Sequence, residues 1–331
     1  MNKLLSIYGH EMQPAALIKM NRTQETDFGQ DDVISMTFGI FLFESTLMIV
    51  VLASVGNIMV IISIIRKKAL HHSANILLVN LALADFLTTV CSIPSLGLRY
   101  LWPDFLRERQ TLCETFLLLL MVCMCSSMTS MQCISINRYI FITKTRATYN
   151  RFFGTRKTSV MAMVIWIWSG VSIFLTLHVC GTLEYSTSLG GCYLKEGDPR
   201  SWFCLLAVIL ASVVLCIFIM PTFSLLTLNV IRESRKRVRD NLCSTKDGQK
   251  QTISKEEVAV TQMMLTVLGL FLICWIPYSA VHFWSYEKYP PKAVSFTVSV
   301  FALLNTAVNP FIYAWMNKPI RKSLIEMISK A

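Results

Sequence analysis

Ile76-Leu77-Leu78-Val79-Asn80-Leu81-Ala82-Leu83-Ala84-Asp85-Phe86-Leu87 sets an amide and a carboxylic acid inside an otherwise apolar run that extends from Ala74 to Leu98. Crossing a bilayer takes about 20 mostly apolar residues as a helix, and this run is long enough. An acid at the centre of a membrane helix costs roughly 2.5–3.5 kcal/mol on insertion scales, so Asp85 marks a polar interior rather than a lipid-facing surface. Six further runs have the same character: Met36–Ile65, Thr111–Thr143, Lys157–His178, Trp202–Ile231, Glu256–Tyr286 and Ala293–Met316. Lipid offers the backbone no hydrogen bonds, so all seven are predicted to be helices. The fold class that follows is an all-α membrane protein, a seven-transmembrane helix bundle. Residues 1–35 read as an N-terminal tail, 36–316 as the bundle and 317–331 as a short helix and C-terminus.

Composition agrees with this reading. Of the 331 residues 54% are hydrophobic and only 15% charged, against roughly 25% charged in an ordinary soluble domain. Mean hydropathy is +0.53. Such a chain cannot cover a soluble surface with charge, which excludes a cytosolic enzyme, a disordered regulator and a nucleic-acid binder, the net charge of +11 notwithstanding. Most of the 11 cysteines lie inside apolar runs, where thiols behave as small hydrophobes.

The basic residues orient the bundle. Of 31 Lys and Arg, 21 follow spans one, three, five and seven, and 10 lie in the N-terminal segment and the other loops. The positive-inside rule puts the first set in the cytoplasm and the N-terminus outside. The basic cytoplasmic face also suits anionic membrane lipid. Asn21-Arg22-Thr23 is then a glycosylation sequon on the outer side. No cleavable signal peptide is read in the first 35 residues, so span one serves as the signal anchor. After span seven, Lys318-Pro319-Ile320-Arg321-Lys322-Ser323-Leu324-Ile325 alternates basic and apolar residues at helical spacing, the pattern of a short helix on the inner membrane face.

Polar residues inside the other spans complete the pattern: Gly56-Asn57 in span one, Asn137-Arg138-Tyr139 ending span three, Cys274-Trp275-Ile276-Pro277 in span six, and Asn305 with Asn309-Pro310-Phe311-Ile312-Tyr313 in span seven. With Asp85, these motifs resemble the rhodopsin-like (class A) G-protein-coupled receptors, in span order, from about Thr37 to Ile328. Tyr149-Asn150-Arg151-Phe152-Phe153, Ile165-Trp166 and Gly181-Thr182-Leu183-Glu184-Tyr185 with Cys192 beyond narrow the resemblance to the melatonin-receptor branch. The chain departs from that branch at Pro310, where an alanine is common, and lacks the proline near the end of span four. Thr176 or Leu177 replaces an asparagine after that point, and Ile217 replaces a histidine in span five.

The resemblance assigns roles. It pairs Cys113 with Cys192, both on the oxidising side, with Cys180 and Cys204 as possible competitors nearby. It makes Arg138 a switch facing a heterotrimeric G protein, flanked by Asn137 and Tyr139, where an acid usually precedes the arginine. Glu257 is the remaining acid on span six, and Asn309, Pro310 and Tyr313 belong to the same switch. Asn229 stands where the family usually has a tyrosine. Asp85 reads as a hydrogen-bond hub joining Asn57, Ser127 and Asn309, and also as a sodium site with Ser127, Asn305 and Asn309; hard oxygen donors suit such an ion, and the two readings are compatible. No other cofactor is implied. Trp275 above the kink at Pro277 is a lever between ligand and cytoplasm, since proline removes a helix hydrogen bond.

By register the ligand pocket is lined by Leu120, Met121, Met124, Tyr278, Ser279, His282, Ser299 and Leu303. Leu120 occupies the position where amine receptors carry an aspartate, and no lysine occurs between Ala293 and Asn317 to hold retinal. The expectation is an extracellular, neutral or lipophilic small ligand acting on a multi-pass plasma-membrane receptor, not an enzyme. A transporter or channel is the rival reading, and the lack of related halves argues against it. A membrane hydrolase is a third, with neither H-E-x-x-H nor G-x-S-x-G present. Met121, Cys123, Met124, Cys125 and Met128 could be soft copper ligands, but adaptable packing explains them better. His71-His72 reads as an interfacial pair, and Glu44 is membrane-embedded with no partner evident from sequence.

Overall fold

The computed structural model describes residues 14–92, 103–180, 183–186, 191–195, 200, 203, 218–241, 255–284 and 292–329. Nearly all of them are helical. Helices α1 (Pro14–Arg66), α2 (Ser73–Ser92), α3 (Gln110–Thr143), α4 (Thr155–Cys180), α5 (Met220–Asn241), α6 (Lys255–Trp284), α7 (Lys292–Met316) and α8 (Lys318–Ile328) follow in chain order. Short helices Pro103–Glu108 and Arg146–Phe153 precede α3 and α4, and strands β1 (Leu183–Ser186) and β2 (Gly191–Leu194) form an antiparallel hairpin between α4 and α5. Among the described residues six helices are long and apolar enough to span a membrane. Half of the other expected span, Trp202–Ile231, lies outside the described residues, and α5 carries its second part.

One boundary differs from the sequence reading. Helix α1 begins at Pro14, within the stretch read as an N-terminal tail. Proline is tolerated in a first helical turn, where its missing N–H has no partner to lose, and Ala15, Ala16, Leu17, Lys19 and Met20 are good helix formers. Asn21 falls on this stretch, and its side chain lies outside the described residues. Helix α8 falls within residues 317–331, read as a short helix and C-terminus. Asn317 starts it, its side-chain oxygen accepting a hydrogen bond from the Ile320 amide at 3.3 Å. The apolar face of α8 then packs inward through Ile320 and Leu324. Ser323 bonds the Ser63 carbonyl at 3.2 Å and Glu326 meets Lys67 at 2.6 Å, so α8 is fastened to the end of α1.

Burial sorts the helices. In the most apolar windows of α2 and α7, 61% of residues are buried, against 11% for the window in α4. Helices α2 and α7 therefore form the centre, and α4 presents Met163, Ile167, Phe174 and Val179 outward. Polar side chains stitch the central pairs. Asn80 donates to Ser130 Oγ at 2.8 Å and accepts from Trp166 Nε1 at 2.9 Å, joining α2, α3 and α4.

Candidate functional site

A cleft of about 940 Å³, its open mouth included, runs through the bundle between α2, α3, α6 and α7. Its α3 wall is made by Cys113, Phe116, Leu117, Leu120, Met124, Ser127 and Met128. These residues recur every three or four positions and so share one helix face. Trp275, Phe271 and Tyr278 line it from α6, and Ser299, Ala302, Leu303, Asn305 and Thr306 from α7. One end lies under the disulfide, where Leu106 and Cys192 line the cleft, and the other reaches Asp85, with Thr88 and Ser92 along the α2 wall between them.

At the disulfide end, Cys113 and Cys192 are bridged with Cα atoms 5.8 Å apart. Leu106, Leu117 and Tyr185 pack around the bond. Gln110 donates to the Leu183 carbonyl at 3.3 Å, and Glu184 pairs with Lys195 at 3.0 Å across the hairpin. The hairpin is thus tied to the start of α3. Cys204 and the side chain of Cys180 lie outside the described residues.

At the polar end, Asp85 is fully buried. Ser127 Oγ donates to its Oδ1 at 2.7 Å and Asn309 Nδ2 to its Oδ2 at 2.8 Å. A buried charge needs such donors on both oxygens. Asn305 faces the same cleft. Asn57 is not bonded to Asp85, contrary to the expected hub. Its Nδ2 donates to the carbonyls of Ala53 at 2.9 Å and Thr306 at 3.1 Å. The cause is Pro310, four residues after Thr306. Proline has no N–H to close that turn, and a buried carbonyl needs a donor, which Asn57 supplies from α1.

Of the expected pocket residues, Leu120, Met124, Tyr278, Ser299 and Leu303 line the cleft. Met121 and Ser279 do not. Each is one residue away from a lining neighbour, and a single step turns a helical side chain by about 100°. The side chain of His282 lies outside the described residues. Phe116, Leu117, Thr88, Ser92, Phe271 and Thr306 line the cleft without having been expected; Phe116 and Leu117 were accessible by stepping back one turn from Leu120. Trp275 stacks on Phe271 at 5.8 Å and meets Tyr278 edge-on at 5.4 Å. Its indole N–H is buried and has no hydrogen-bond partner among the described residues. Pro277 sits within α6 just beyond it.

The opposite, basic end gathers the arginine motif. Asn137 is fully buried and donates from Nδ2 to the Tyr149 hydroxyl at 3.2 Å. Tyr149 belongs to the short helix Arg146–Phe153 and packs on Phe141 at 5.1 Å and Phe153 at 6.0 Å. Ser73 donates to the Phe153 carbonyl, which anchors that helix to α2. Tyr139 meets Phe223 of α5 edge-on at 5.3 Å. Arg138 lies near His72, whose imidazole is held below its ordinary value, first by burial and then by the arginine's positive charge. His71 reaches the Ile65 carbonyl at 2.9 Å. The side chain of Glu257 lies outside the described residues. Tyr313 is buried on α7, and Asn229 is exposed on α5. Glu44 is exposed on the outward face of α1, beside Phe41 and Met48.

Comparison with known proteins places this architecture. The profile of the "7 transmembrane receptor (rhodopsin family)" matches residues 56–313. Pinopsin of Columba livia is 27% identical over 300 residues, covering 88% of this chain and 82% of its own. Melatonin receptor type 1B-B of Danio rerio is 26% identical over 281 residues, covering 83% and 77%. The melatonin-receptor branch is therefore among the chain's relatives, as its motifs implied. Squid rhodopsin shares the fold with a TM-score of 0.71 at 18% identity, covering 90% of this chain and 86% of that one. The protein is a seven-transmembrane helix bundle and belongs to the rhodopsin family of seven-transmembrane receptors.

Proposed function

We propose that the chain is a plasma-membrane receptor with its N-terminus outside, activated by an uncharged, largely apolar small molecule and acting on a heterotrimeric G protein at its basic end. The observation that carries this reading is the cleft. Its disulfide end is walled by Leu106, Phe116, Leu117 and Leu120, and the Trp275 N–H, without a partner among the described residues, offers one donor to a ligand acceptor. A ligand site of mostly apolar lining with few polar groups selects on shape and on those groups. Asp85 is the one charged residue among the described lining residues. It is paired with Ser127, seven residues or about 10 Å along α3 from Leu120, so a cationic amine finds no counter-ion at the level of Leu120.

Ligand binding would shift a two-state bundle, with Trp275 and the Pro277 kink carrying motion toward Arg138, Tyr139 and the α5–α6 opening. The test is nucleotide exchange on a purified G protein with the full chain in lipid nanodiscs. Matched sets of neutral and cationic small molecules are applied. Activation confined to neutral compounds supports the reading; activation confined to cationic ones overturns it. Melatonin itself should bind weakly. The Thr176 hydroxyl is already spent on the Ser172 carbonyl at 2.8 Å, and Ile217 offers no polar group. Losing a polar partner in a site built for it discriminates strongly.

The Asp85 cluster also fits a sodium ion. Asp85, Ser127 and Asn305 bring oxygen donors to one buried polar end of the cleft, the chemistry that a hard cation takes. Asn309 would steady the carboxylate from the other side. When bound, the ion would supply a positive charge that holds these helices together.

A further inference from the structure

We propose that the outer corner between α7 and α8 binds one anionic phospholipid, its phosphate held by Arg321 with Lys318 and Lys322 and its acyl chain lying on Trp315 and Phe311. Phe311 and Trp315 are four residues apart and so share a face of α7. That face turns outward: the two side chains are 56% and 76% exposed. Both belong to the last turns of a helix long and apolar enough to span a membrane. Helix α8 continues the surface. Lys318, Arg321, Lys322 and Ile325 recur at three- and four-residue spacing and are exposed together, while Ile320 and Leu324 hold the other side against the bundle. Aromatic surface at membrane depth thus runs directly into basic surface, the order of groups met along a phospholipid from chain to headgroup.

Arg321 joins the two halves. Its Nη1 donates to the Trp315 carbonyl at 3.2 Å. The last carbonyls of a helix have no partner within it, and this bond supplies one for α7 while fixing the guanidinium beside the indole. A guanidinium has five N–H donors in a planar fork, so others remain for phosphate oxygens, which it matches two at a time. No acid competes for them. Glu326, the one acid of α8, meets Lys67 at 2.6 Å. Among the described residues Lys318, Arg321 and Lys322 form no ion pair. Three such cations select a headgroup of net negative charge over a zwitterionic one, by about fivefold for each.

A phospholipid fits this corner better than other anions do. Free phosphate would leave Phe311 and Trp315 uncovered. A soluble acidic partner would have to enter the bilayer to reach Phe311, about 6 Å deeper than Trp315 along α7. In the orientation proposed above the corner lies in the cytoplasmic leaflet, where anionic lipid is concentrated. The chemistry of the site is the same in either orientation, so a symmetric bilayer tests it independently of that reading.

The experiment places the full chain in nanodiscs of phosphatidylcholine and phosphatidylserine in equal amounts. Two preparations differ only in which lipid carries brominated acyl chains, which quench tryptophan fluorescence on contact. The parent should be quenched more strongly when the bromine is on phosphatidylserine, and Trp315→Phe should remove that excess. When brominated phosphatidylserine is titrated into phosphatidylcholine, Arg321→Gln should raise the fraction that gives half the quenching by about fivefold. The parent carries the decisive comparison whatever the variants' folding. Equal quenching of the parent by either labelled lipid overturns the proposal. So does an excess that survives Trp315→Phe, which would put the preferred lipid elsewhere on the bundle. Loss of the excess on adding inorganic phosphate also overturns it, in favour of a free anion.

Discussion

Gly56 of α1 lies against Pro310 of α7 so closely that a Cβ on the glycine would sit 2.9 Å from the proline Cβ and 3.0 Å from its Cγ. Two of the motif residues read from the sequence are thus in one contact. The same contact lets Asn57, the next residue, reach the Thr306 carbonyl that Pro310 leaves without a donor. Gly56→Ala should destabilise the bundle by about 1–3 kcal/mol, the usual cost of overpacking. Pro310→Ala keeps a Cβ in place and should not rescue it. Thermal unfolding in detergent measures both. A Gly56→Ala protein as stable as its parent would mean that α1 and α7 can part without loss.

Asp85 gives a prediction about salt. If sodium joins the Asp85 cluster, the parent should melt at higher temperature in sodium chloride than in choline chloride of equal ionic strength. An ion at ten times its dissociation constant stabilises by about 1.4 kcal/mol. Asp85→Asn should abolish the difference. Ser127→Ala should reduce it, and should separately cost about 1–3 kcal/mol because one carboxylate oxygen loses its donor. Equal melting of the parent in the two salts would remove sodium from this site.

The sequence made the helices legible because lipid imposes a length and an apolar composition on each. Expected and observed bounds for α3, α6 and α7 agree within two residues at either end, and the buried Asp85 announced the polar interior. Partners were harder to read. Periodicity places Asn57 inside the bundle but is silent on which acceptor it finds; that depended on the carbonyl freed by Pro310, one helix away in space and 249 residues away in sequence. Tyr149 was quoted only as part of a motif. Its contact with Asn137 required the short helix Arg146–Phe153, whose eight residues give Tyr149 and Phe153 one shared turn, too short a stripe to set where the helix docks. In the cleft, α3 was read one turn too short and one residue too wide, since Phe116 and Leu117 continue the face of Leu120 whereas Met121 turns away from it.

His72 provides a pH prediction with a defined sign. Although the residue is exposed by area, surrounding protein and then Arg138 lower its affinity for protons, from the ordinary value of about 6.5. The unfolded chain therefore takes up a proton there before the folded one does. Stability from this source is intact above the ordinary histidine range and falls as pH drops below it. NMR titration of the His72 ring should give a value below that of a histidine peptide. Arg138→Gln should raise it only part of the way, because burial is the larger cause. Titration at or above the peptide value would contradict the crowding seen around the ring.

Asn137 and Tyr149 bear on ligand-free activity. The buried amide donates to the tyrosine hydroxyl and so fastens the short helix to α3 next to Arg138. In Asn137→Asp, a carboxylate would accept from that hydroxyl and also face the arginine's charge. A charge pair of this kind, with the arginine half-buried, is worth about 1 kcal/mol, which changes the ratio of inactive to active states by about fivefold. Asn137→Asp should therefore lower ligand-free nucleotide exchange on the G protein at matched surface expression, and Glu257→Ala should raise it. Tyr149→Phe removes the hydroxyl and leaves the Asn137 amide unsatisfied, at a cost of about 1–3 kcal/mol. Its signature is faster hydrogen exchange across residues 146–153, without the charge effect. Unchanged exchange across that helix would mean that Tyr149 packs there by its ring alone, through Phe141 and Phe153. If Asn137→Asp and Glu257→Ala both match the parent in nucleotide exchange, charge pairing does not hold Arg138 and the switch works by packing.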